Sequence, residues 1–166
     1  MSIVRVAFEV DARPVPQGSM TASYNKKLGV AHVHHVAGAA LAMWRASVRE
    51  AARGAGANLS PNAISVRIEF GMPRPKHHLM VRDGKLMVRA KYYYARPAVA
   101  PDLDKLVRAV LDALTGICYN DDSQVVEIVA SKRYALSTSI EVTDEDKGSP
   151  QYTFGLVAAE APNSRA

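Results

Sequence analysis

The chain of 166 residues contains a single cysteine, Cys118, and no long uncharged apolar run. One cysteine excludes a disulfide within the chain and is typical of a reducing compartment, so we expect a cytoplasmic protein in which Cys118 packs in the interior. The longest uncharged apolar run, residues 36–44, is too short to cross a bilayer, and Arg5 and Glu9 interrupt the opening apolar run. The sequence therefore predicts no membrane partner, and an opening strand in place of a signal peptide.

Several common functional patterns are also missing. No glycine-rich loop is present that would cradle phosphates, so we expect no nucleotide cofactor. Neither a covalent-nucleophile pattern nor the ligand spacing of an EF-hand occurs. His32, His34 and His35 lack a matching cysteine or carboxylate pattern, which favours loop residues over zinc ligands.

Charge is distributed unevenly between the two parts of the chain. Residues 1–101 contain 15 Lys and Arg against 5 Asp and Glu, a net charge of +10, and residues 102–166 contain 6 against 11, a net charge of −5. An acidic pocket repels a polyanion, so a protein that brings carboxylates to a nucleic acid needs basic surface elsewhere to attract phosphates. This asymmetry is what we expect of a nuclease, while each individual basic residue fits a solvated face equally well.

The segment PDLDKLVRAVLDALTGICYNDDSQV, residues 101–125, contains the strongest amphipathic pattern in the chain. Leucines and valines recur at helical spacing from Leu103 to Leu114, which predicts a helix with one buried face. Gly116 follows as the helix stop.

Two pairs of aspartates flank this predicted helix, Asp102 with Asp104 before it and Asp121 with Asp122 after it. A run rich in β-branched residues follows, so we expect the chain to fold back and bring the two pairs together. If residues 102–104 are extended, the first two side chains point the same way, about 6 to 7 Å apart. Clustered carboxylates suit a hard divalent cation such as Mg²⁺ and metal-assisted phosphoryl chemistry. From spacing alone, the alternative to a metal site stays open: Asp102 could only cap the helix, and residues 120–123 could only form a turn.

The runs PDLDKLVRAVLDALTG and DDSQV, in this order and at this separation, closely resemble the signature of the RusA family of Holliday-junction resolvases. These are small metal-dependent endodeoxyribonucleases often found in phages and prophages. The resemblance extends weakly over the N-terminal third, where VPQGSM and the segment up to Trp44 are similar to the family's opening strand, loop and first helix. It implies four-way junction DNA as the substrate and a bacterial or phage-infected cell as the location. It also implies a homodimer, because two opposed nicks need two sites.

By position, the resemblance implies three catalytic, metal-binding carboxylates and one accessory acid: Asp102, Asp104 and Asp122, with Asp121 beside them. The family often has Asn directly after the second aspartate and Lys four residues after it, where this chain has Lys105 and Arg108. Arg108 keeps charge stabilisation of a phosphate but cannot give up a proton, and Lys105 could substitute for the family lysine. The implied reaction is in-line attack of Mg²⁺-activated water on a DNA phosphodiester, which leaves a 5′ phosphate.

Residues 73–97 mix basic residues with histidines and tyrosines, and only Asp83 opposes them in charge. The candidate DNA-binding residues are Arg74, Lys76, Arg82, Lys85, Arg89 and Lys91 here, Lys26 and Lys27 in a loop predicted over residues 13–27, and Lys132. Such a mixture suits phosphate contact with stacking on unpaired bases. A long hairpin around Asp83-Gly84 with packed tyrosines is the equally open alternative. Arg45, Arg49 and Arg53 would form a basic stripe that meets DNA or solvent.

No linker or repeat divides the chain, so we predict a single RusA-like nuclease domain over residues 1–142 and a weakly ordered tail over residues 143–166. The order of elements predicts an α+β fold, a mixed β-sheet with two main helices on one face. The predicted strands are residues 3–10, 64–70, 124–134 and 136–142, and the predicted helices are residues 36–53 and 103–114. Two alternatives to a junction resolvase stay open: a nuclease with broader branched-DNA or flap substrates, and a non-catalytic architectural dimer that binds DNA.

Overall fold

The computed structural model describes residues 5–18, 20–25, 30–35 and 38–145. In chain order the helices and strands are β1 (Arg5–Val10), β2 (Met20–Asn25), β3 (Val30–His35), α1 (Gly38–Gly54), β4 (Ala63–Met72), β5 (Leu79–Arg82), β6 (Lys85–Val88), α2 (Leu103–Leu114), β7 (Val125–Tyr134) and β8 (Thr138–Glu145). Among the described residues, three 3-10 turns are also present, Lys76–His78, Ala90–Tyr92 and Asp122–Gln124, and the last of these leads into β7. Helix α2 and strands β4 and β7 thus lie where the sequence pattern predicted them.

The central sheet is mixed. Within the described residues it has four strands in the order β1, β8, β4, β7. β8 pairs antiparallel with both β1 and β4, whereas β4 pairs parallel with β7, and α2 forms part of the crossover between these two parallel strands. Strands β2 and β3 form a separate hairpin, as do β5 and β6. The predicted α+β fold with a mixed sheet and two helices is confirmed.

One face of the sheet packs on both helices. Ile64, Val66, Ile68 and Phe70 of β4 are buried and alternate with more exposed polar residues, which gives the strand one apolar face. These side chains share a single core cluster with the buried residues of both helices, which include Trp44 and Val48 of α1 and Leu106, Val110 and Leu114 of α2. The helices therefore cover one face, and the opposite face of the sheet carries the polar side chains.

Gly71 lies where the turn between β7 and β8 crosses β4. A Cβ atom at this position would be 2.1 Å from the carbonyl oxygen of Ser137 and 2.6 Å from its carbonyl carbon. The amide of Gly71 also donates a buried hydrogen bond to Oγ1 of Thr138, with 3.1 Å between the two atoms. Glycine is required here because another backbone approaches this closely.

The N-terminal part differs from the sequence prediction. The expected loop over residues 13–27 contains strand Met20–Asn25, which pairs with β3. His32, His34 and His35 lie on β3 and not in a loop. Met20, Ala22 and Tyr24 alternate with polar residues, but the turn-forming residues around them, Pro14, Pro16, Gly18 and Asn25, favour a loop. Pairing with β3 overrides that local preference. Lys26 and Lys27 lie outside the described residues.

The C-terminal strand is longer than predicted, because β8 runs to Glu145 and includes the first residues assigned to the tail. Polar side chains hold this extension to the start of β4. Asp144 accepts hydrogen bonds from Ser60 and, at 3.0 Å, from Asn62, and Glu145 accepts one from Ser65 at 2.7 Å. The tail predicted over residues 146–166 lies outside the described residues. No helix in the described part of the chain is long and apolar enough to cross a membrane.

Candidate functional site

Asp102 and Asp104 lie at the start of α2 in two different backbone conformations. Asp102 is the extended N-cap residue, with φ −67° and ψ 140°, whereas Asp104 is already in the first helical turn. The expectation that both are extended is therefore wrong for Asp104, because the helix begins at Leu103. The carboxylate of Asp102 lies 2.8 Å from Nζ of Lys105, the residue three positions later.

The ion pair between Asp102 and Lys105 sets the charge of both groups. The hydrogen bond and the charge of Lys105 hold the pKa of the Asp102 carboxyl below its ordinary value, and the ammonium of Lys132 adds to this effect. The same hydrogen bond and charge of Asp102 raise the pKa of Lys105, with a smaller contribution from Asp104. Asp102 is therefore an anion and Lys105 a cation at neutral pH.

Lys132 of β7 holds the segment that leads to Asp102. Its Nζ donates hydrogen bonds to the carbonyl oxygen of Val99 at 2.7 Å and to that of Pro101 at 3.0 Å. The ammonium group that the sequence predicted as a DNA contact is thus used within the chain, next to the start of α2.

The second aspartate pair lies in the 3-10 turn after α2. Asp121 is its N-cap, and its carboxylate accepts the amide of Ser123 at 2.9 Å. The hydrogen bond from Ser123 lowers the pKa of the Asp121 carboxyl. Asp122 is the first residue of the turn and is exposed. The alternative prediction, in which these residues only form a turn, is correct for Asp121, because its side chain caps the 3-10 turn.

Gln124 fixes this turn to the sheet with both ends of its amide. Its Oε1 accepts the backbone amides of Asn120 at 2.8 Å and Asp121 at 3.1 Å. Its Nε2 donates to the carbonyl oxygens of Ser60 at 2.9 Å and Asn62 at 2.8 Å. Gln124 is part of the DDSQV run, but its role depends on partners 64 and 62 positions earlier in the chain, which the run itself does not indicate.

The structure does not gather the two aspartate pairs into one site. Asp102 and Asp104 lie at the beginning of α2, and Asp121 and Asp122 lie beyond its end; a helix of 12 residues is about 18 Å long. Across the described ranges, no group of three or more His, Cys, Asp or Glu residues could hold a metal ion. The donor chemistry of exposed carboxylates fits Mg²⁺, whereas their arrangement does not present three donors together. The assignment of Asp102, Asp104 and Asp122 as ligands stays a prediction.

The N-terminal loop docks on the first turns of α2. The amide of Gln17, in the VPQGSM run, donates to the carbonyl oxygen of Lys105 at 3.0 Å. Arg45 of α1 donates from Nη2 to Oε1 of Gln17 at 2.7 Å and forms an ion pair with Asp112 of α2. Arg45 therefore ties two helices and a loop together, which corrects the prediction that it meets DNA or solvent. Sequence analysis assigned no role to Gln17.

The basic region of residues 73–97 forms the predicted hairpin. Asp83 and Gly84 both have positive φ, 51° and 73°, as a two-residue turn between β5 and β6 requires. Five of the six predicted basic residues in this region are exposed: Lys76, Arg82, Lys85, Arg89 and Lys91. Arg89 donates from Nε to the carbonyl oxygen of Leu79 at 3.0 Å, and Arg82 lies 3.9 Å from Asp83. The hairpin thus presents a positively charged surface.

Arg74 and Tyr92 anchor the base of the hairpin. The ring of Tyr92 stacks on that of His78, with centroids 4.0 Å apart and planes 16° apart. Arg74 donates to the carbonyl oxygen of Tyr92 at 2.9 Å, and its guanidinium carbon lies 4.6 Å from the ring centroid of Tyr134. Arg74 and Tyr92 therefore pack, as the alternative prediction held.

The site is thus a set of exposed carboxylates at both ends of one helix, in an α+β domain that also presents a positively charged hairpin. The chain belongs to the RusA endodeoxyribonuclease family, whose family model matches residues 12–143. A relative in Bacillus subtilis (strain 168), the uncharacterized protein YqaN, is 35% identical to the chain over 79 residues. This match covers 48% of the chain and 54% of the relative, so it spans about half the length of each protein.

Proposed function

We propose that the chain is an endodeoxyribonuclease that resolves four-way DNA junctions by paired nicks in opposed strands. The observation that carries this proposal is the RusA family match, which spans residues 12–143 and so includes both aspartate pairs and the basic hairpin. Because two nicks need two sites, the proposed active form is a homodimer.

The proposed metal ligands are Asp102, Asp104 and Asp122, with Asp121 as an accessory acid. Because α2 separates the two pairs within one chain, this proposal requires the pairs to meet across the proposed dimer. The proposed cofactor is Mg²⁺, which prefers carboxylate oxygens and, when bound, supplies charge neutralisation and an acidified water molecule. Lys105 would hold the carboxylate of Asp102 in its ionised form until DNA and metal arrive. Arg108, exposed on the same helix, would offset negative charge on the scissile phosphate.

The proposed DNA-binding surface is the hairpin β5–β6 and its flanks, because its exposed basic residues supply attraction to phosphates that the carboxylates oppose. Lys26 and Lys27 belong to the proposed set as well. Lys132 has its ammonium group bound to the carbonyl oxygens of Val99 and Pro101, so we propose that it positions the start of α2.

The proposal is tested by the nicking of a synthetic four-way junction, with flap and duplex DNA of matching sequence, in Mg²⁺ and in EDTA. Symmetric paired nicks that need Mg²⁺ and occur on the junction alone support the proposal. Equal cutting of flaps replaces it with a broader branched-DNA nuclease. Junction binding without cutting in any divalent metal replaces it with an architectural DNA-binding protein.

The site assignment is tested by Asp102→Asn, which removes one anionic oxygen and keeps the size of the side chain. We expect junction cleavage to be lost while junction binding is retained or tightened, since less negative charge opposes the DNA. Asp11→Asn, the same change at an exposed aspartate outside the proposed site and DNA-binding surface, is the matched control and should cut normally. Cleavage by Asp102→Asn at the wild-type rate would contradict the assignment.

A further inference from the structure

A cleft lies beside the face of the sheet that the helices leave uncovered. Its lining includes Tyr93, Tyr94 and Arg96 from the segment after the hairpin, and Glu69, Arg133 and Tyr134 from β4 and β7. We call it the tyrosine cleft. Along β4 and β7, side chains alternate between the two faces, so Glu69 and Arg133 point away from the core that buries Phe70. Glu69 and Arg133 thus place their part of the cleft on the face that the helices leave uncovered, while Tyr134, in register with the buried Met72, packs against the core.

The segment from Arg96 to Asp102 connects the tyrosine cleft to the start of α2. Arg96 lines the cleft, and a few residues later Val99 and Pro101 are held by Lys132. Lys132 pairs in register with the buried Phe70, so it points to the helix side of the sheet. The segment therefore passes around the edge formed by β7. Its Cα atoms at positions 96 and 102 are at most about 21 Å apart, because a fully extended chain advances 3.3–3.6 Å per residue.

Two tyrosine rings in the cleft are available for stacking. The exposed fractions are 64% for Tyr93 and 90% for Tyr94, and the two rings meet edge to face, with centroids 5.0 Å apart and planes 83° apart. The ring of Tyr92, the residue before them, instead stacks on the ring of His78. Aromatic rings left open to solvent beside cations are the arrangement that single-stranded nucleic acids bind, because each base has a π-face.

The charge of the cleft is positive and one cation in it is unused. Its lining includes Arg74, Arg96 and Arg133 against the single acid Glu69. Glu69 pairs with Arg133 at 2.9 Å, and Arg74 is held by Tyr92 and Tyr134. In the described part of the chain, the guanidinium of Arg96 has no hydrogen bond or ion pair. The cleft therefore offers a free cation next to two open rings.

We propose that the tyrosine cleft binds an unpaired nucleotide of the DNA substrate. The base stacks on Tyr93 or Tyr94, and the adjoining phosphate meets Arg96. This inference rests on the proposed function. It narrows the substrate class, because such a cleft would favour branched DNA that exposes unpaired bases over continuous duplex. A strand held in the cleft would continue around the β7 edge toward Asp102.

The test measures binding without metal, so that no cleavage intervenes. A fluorescent oligothymidylate and a labelled duplex of equal length are titrated in EDTA against the full chain. We expect Tyr93→Ala combined with Tyr94→Ala to weaken binding of the single strand by about 5- to 100-fold, the range for one lost stacking contact, and binding of the duplex less than twofold. Replacing both tyrosines by Phe should restore single-strand binding, since the rings remain.

Arg96→Ala should also weaken single-strand binding and reduce the slope of log affinity against log salt by about 0.7, one phosphate contact. Arg53→Ala is the charge-matched control, because this exposed arginine lies in the last turn of α1, on the other side of the sheet from the cleft, and any loss of affinity it causes should be equal for both DNAs. Unchanged single-strand affinity in the double tyrosine variant, or an equal loss for both DNAs, would overturn the proposal. Thermal unfolding of each variant confirms folding, which removal of exposed rings should preserve.

The outcome of this binding test does not depend on whether the chain nicks DNA. A chain that cuts no DNA but loses single-strand binding in the tyrosine variants would refute the proposed nuclease and keep the cleft. A chain that resolves junctions while the tyrosine variants bind single strands normally would refute the cleft alone.

Discussion

Lys132 is bound to the residue that precedes the first aspartate of the site. Its Nζ donates to the carbonyl oxygen of Pro101 at 3.0 Å and to that of Val99 at 2.7 Å, so strand β7 holds the entry to α2. Both bonds are charge-assisted, which makes them stronger than bonds between neutral groups. A lysine of a chain with a net positive charge is thus used within the chain, next to the carboxylate of Asp102.

Lys132→Met should therefore impair cleavage more than binding. The variant keeps the aliphatic part of the side chain but releases the segment before Asp102, and we expect junction cleavage to fall by about 10- to 100-fold, because small misplacements of reacting groups are costly. The slope of log binding affinity against log salt should stay unchanged. A decrease of that slope by about 0.9 would show instead that Lys132 contacts a phosphate.

Arg45→Ala should lower the free energy of unfolding by about 1–2 kcal/mol, because it leaves Asp112 and Gln17 without their shared partner. Urea unfolding measures this change. Asp112→Ala and the double variant complete a cycle, in which we expect a coupling of about 1 kcal/mol. Arg49→Ala, one turn further along α1, is the control and should change stability little. Additive effects of the two substitutions would show that the pair contributes nothing specific.

Gly71→Ala should destabilise the protein by roughly 1–3 kcal/mol, since the new methyl group would collide with the backbone of Ser137, which cannot rotate away as a side chain does. The urea midpoint should fall accordingly. Gly38→Ala is the same substitution at a position where an added Cβ meets nothing within 4 Å, and it should leave the midpoint unchanged or slightly raised. Equal midpoints for the two variants would contradict the close approach at Gly71.

The stability of the fold should fall as the pH drops below about 6.5, because His78 is protonated more readily in the unfolded chain. Burial lowers the pKa of His78 in the folded state, and the positive charges of His77, Arg74 and Lys91 lower it further. Protonation therefore favours the unfolded state between the two pKa values. Urea unfolding at pH 7.5, 6.5 and 5.5 measures the decline.

His78→Phe keeps a ring against Tyr92 and removes the titrating group, so its decline with pH should be smaller than that of the wild type. His77→Gln, a change at the exposed neighbouring histidine, should retain most of the decline. Identical pH profiles for His78→Phe and the wild type would show that other groups cause the decline.

Elements with a strong local pattern could be predicted from the sequence. Helix α2 follows from apolar spacing between Leu103 and Leu114, and β4 from strict alternation between Ile64 and Phe70. The hairpin turn follows from Asp83-Gly84, because few residues adopt positive φ. In each case the determining residues are adjacent in the chain.

Features that depend on partners far apart in sequence could not be predicted. In hairpin β2–β3, the alternation of Met20, Ala22 and Tyr24 with polar residues spans only six positions, and the pairing with β3 defines the strand. The sequence around Arg45 does not distinguish it from an arginine on the surface. Its role depends on Gln17 and Asp112, which lie far from it in the sequence. Likewise, no local signal shows that Lys132 bonds to carbonyl oxygens more than 30 positions earlier.

The position of the aspartates shows the same limit. The sequence places Asp102 and Asp121 at the ends of a helix, but whether those ends meet depends on how the following strand runs. Because β7 is parallel to β4 and α2 is the crossover between them, the segment after the helix returns to the start of the sheet. The direction of the chain therefore places the two aspartate pairs at opposite ends of α2, whereas the sequence pattern predicted that they would lie close together.

The pairing of β1 with β8 has a consequence for synthesis on the ribosome. Arg5 pairs with Thr143, and within the described residues β8 is the only neighbour of β1 in the sheet. A nascent chain therefore leaves β1 without its partner until nearly the whole domain has emerged, and β4 lacks both of its neighbours until β7 and β8 follow. Such long-range pairing is slow to form and exposes strand edges to other chains in the meantime. The nascent chain thus stays prone to pairing with other chains until β8, the last described strand, has been synthesised.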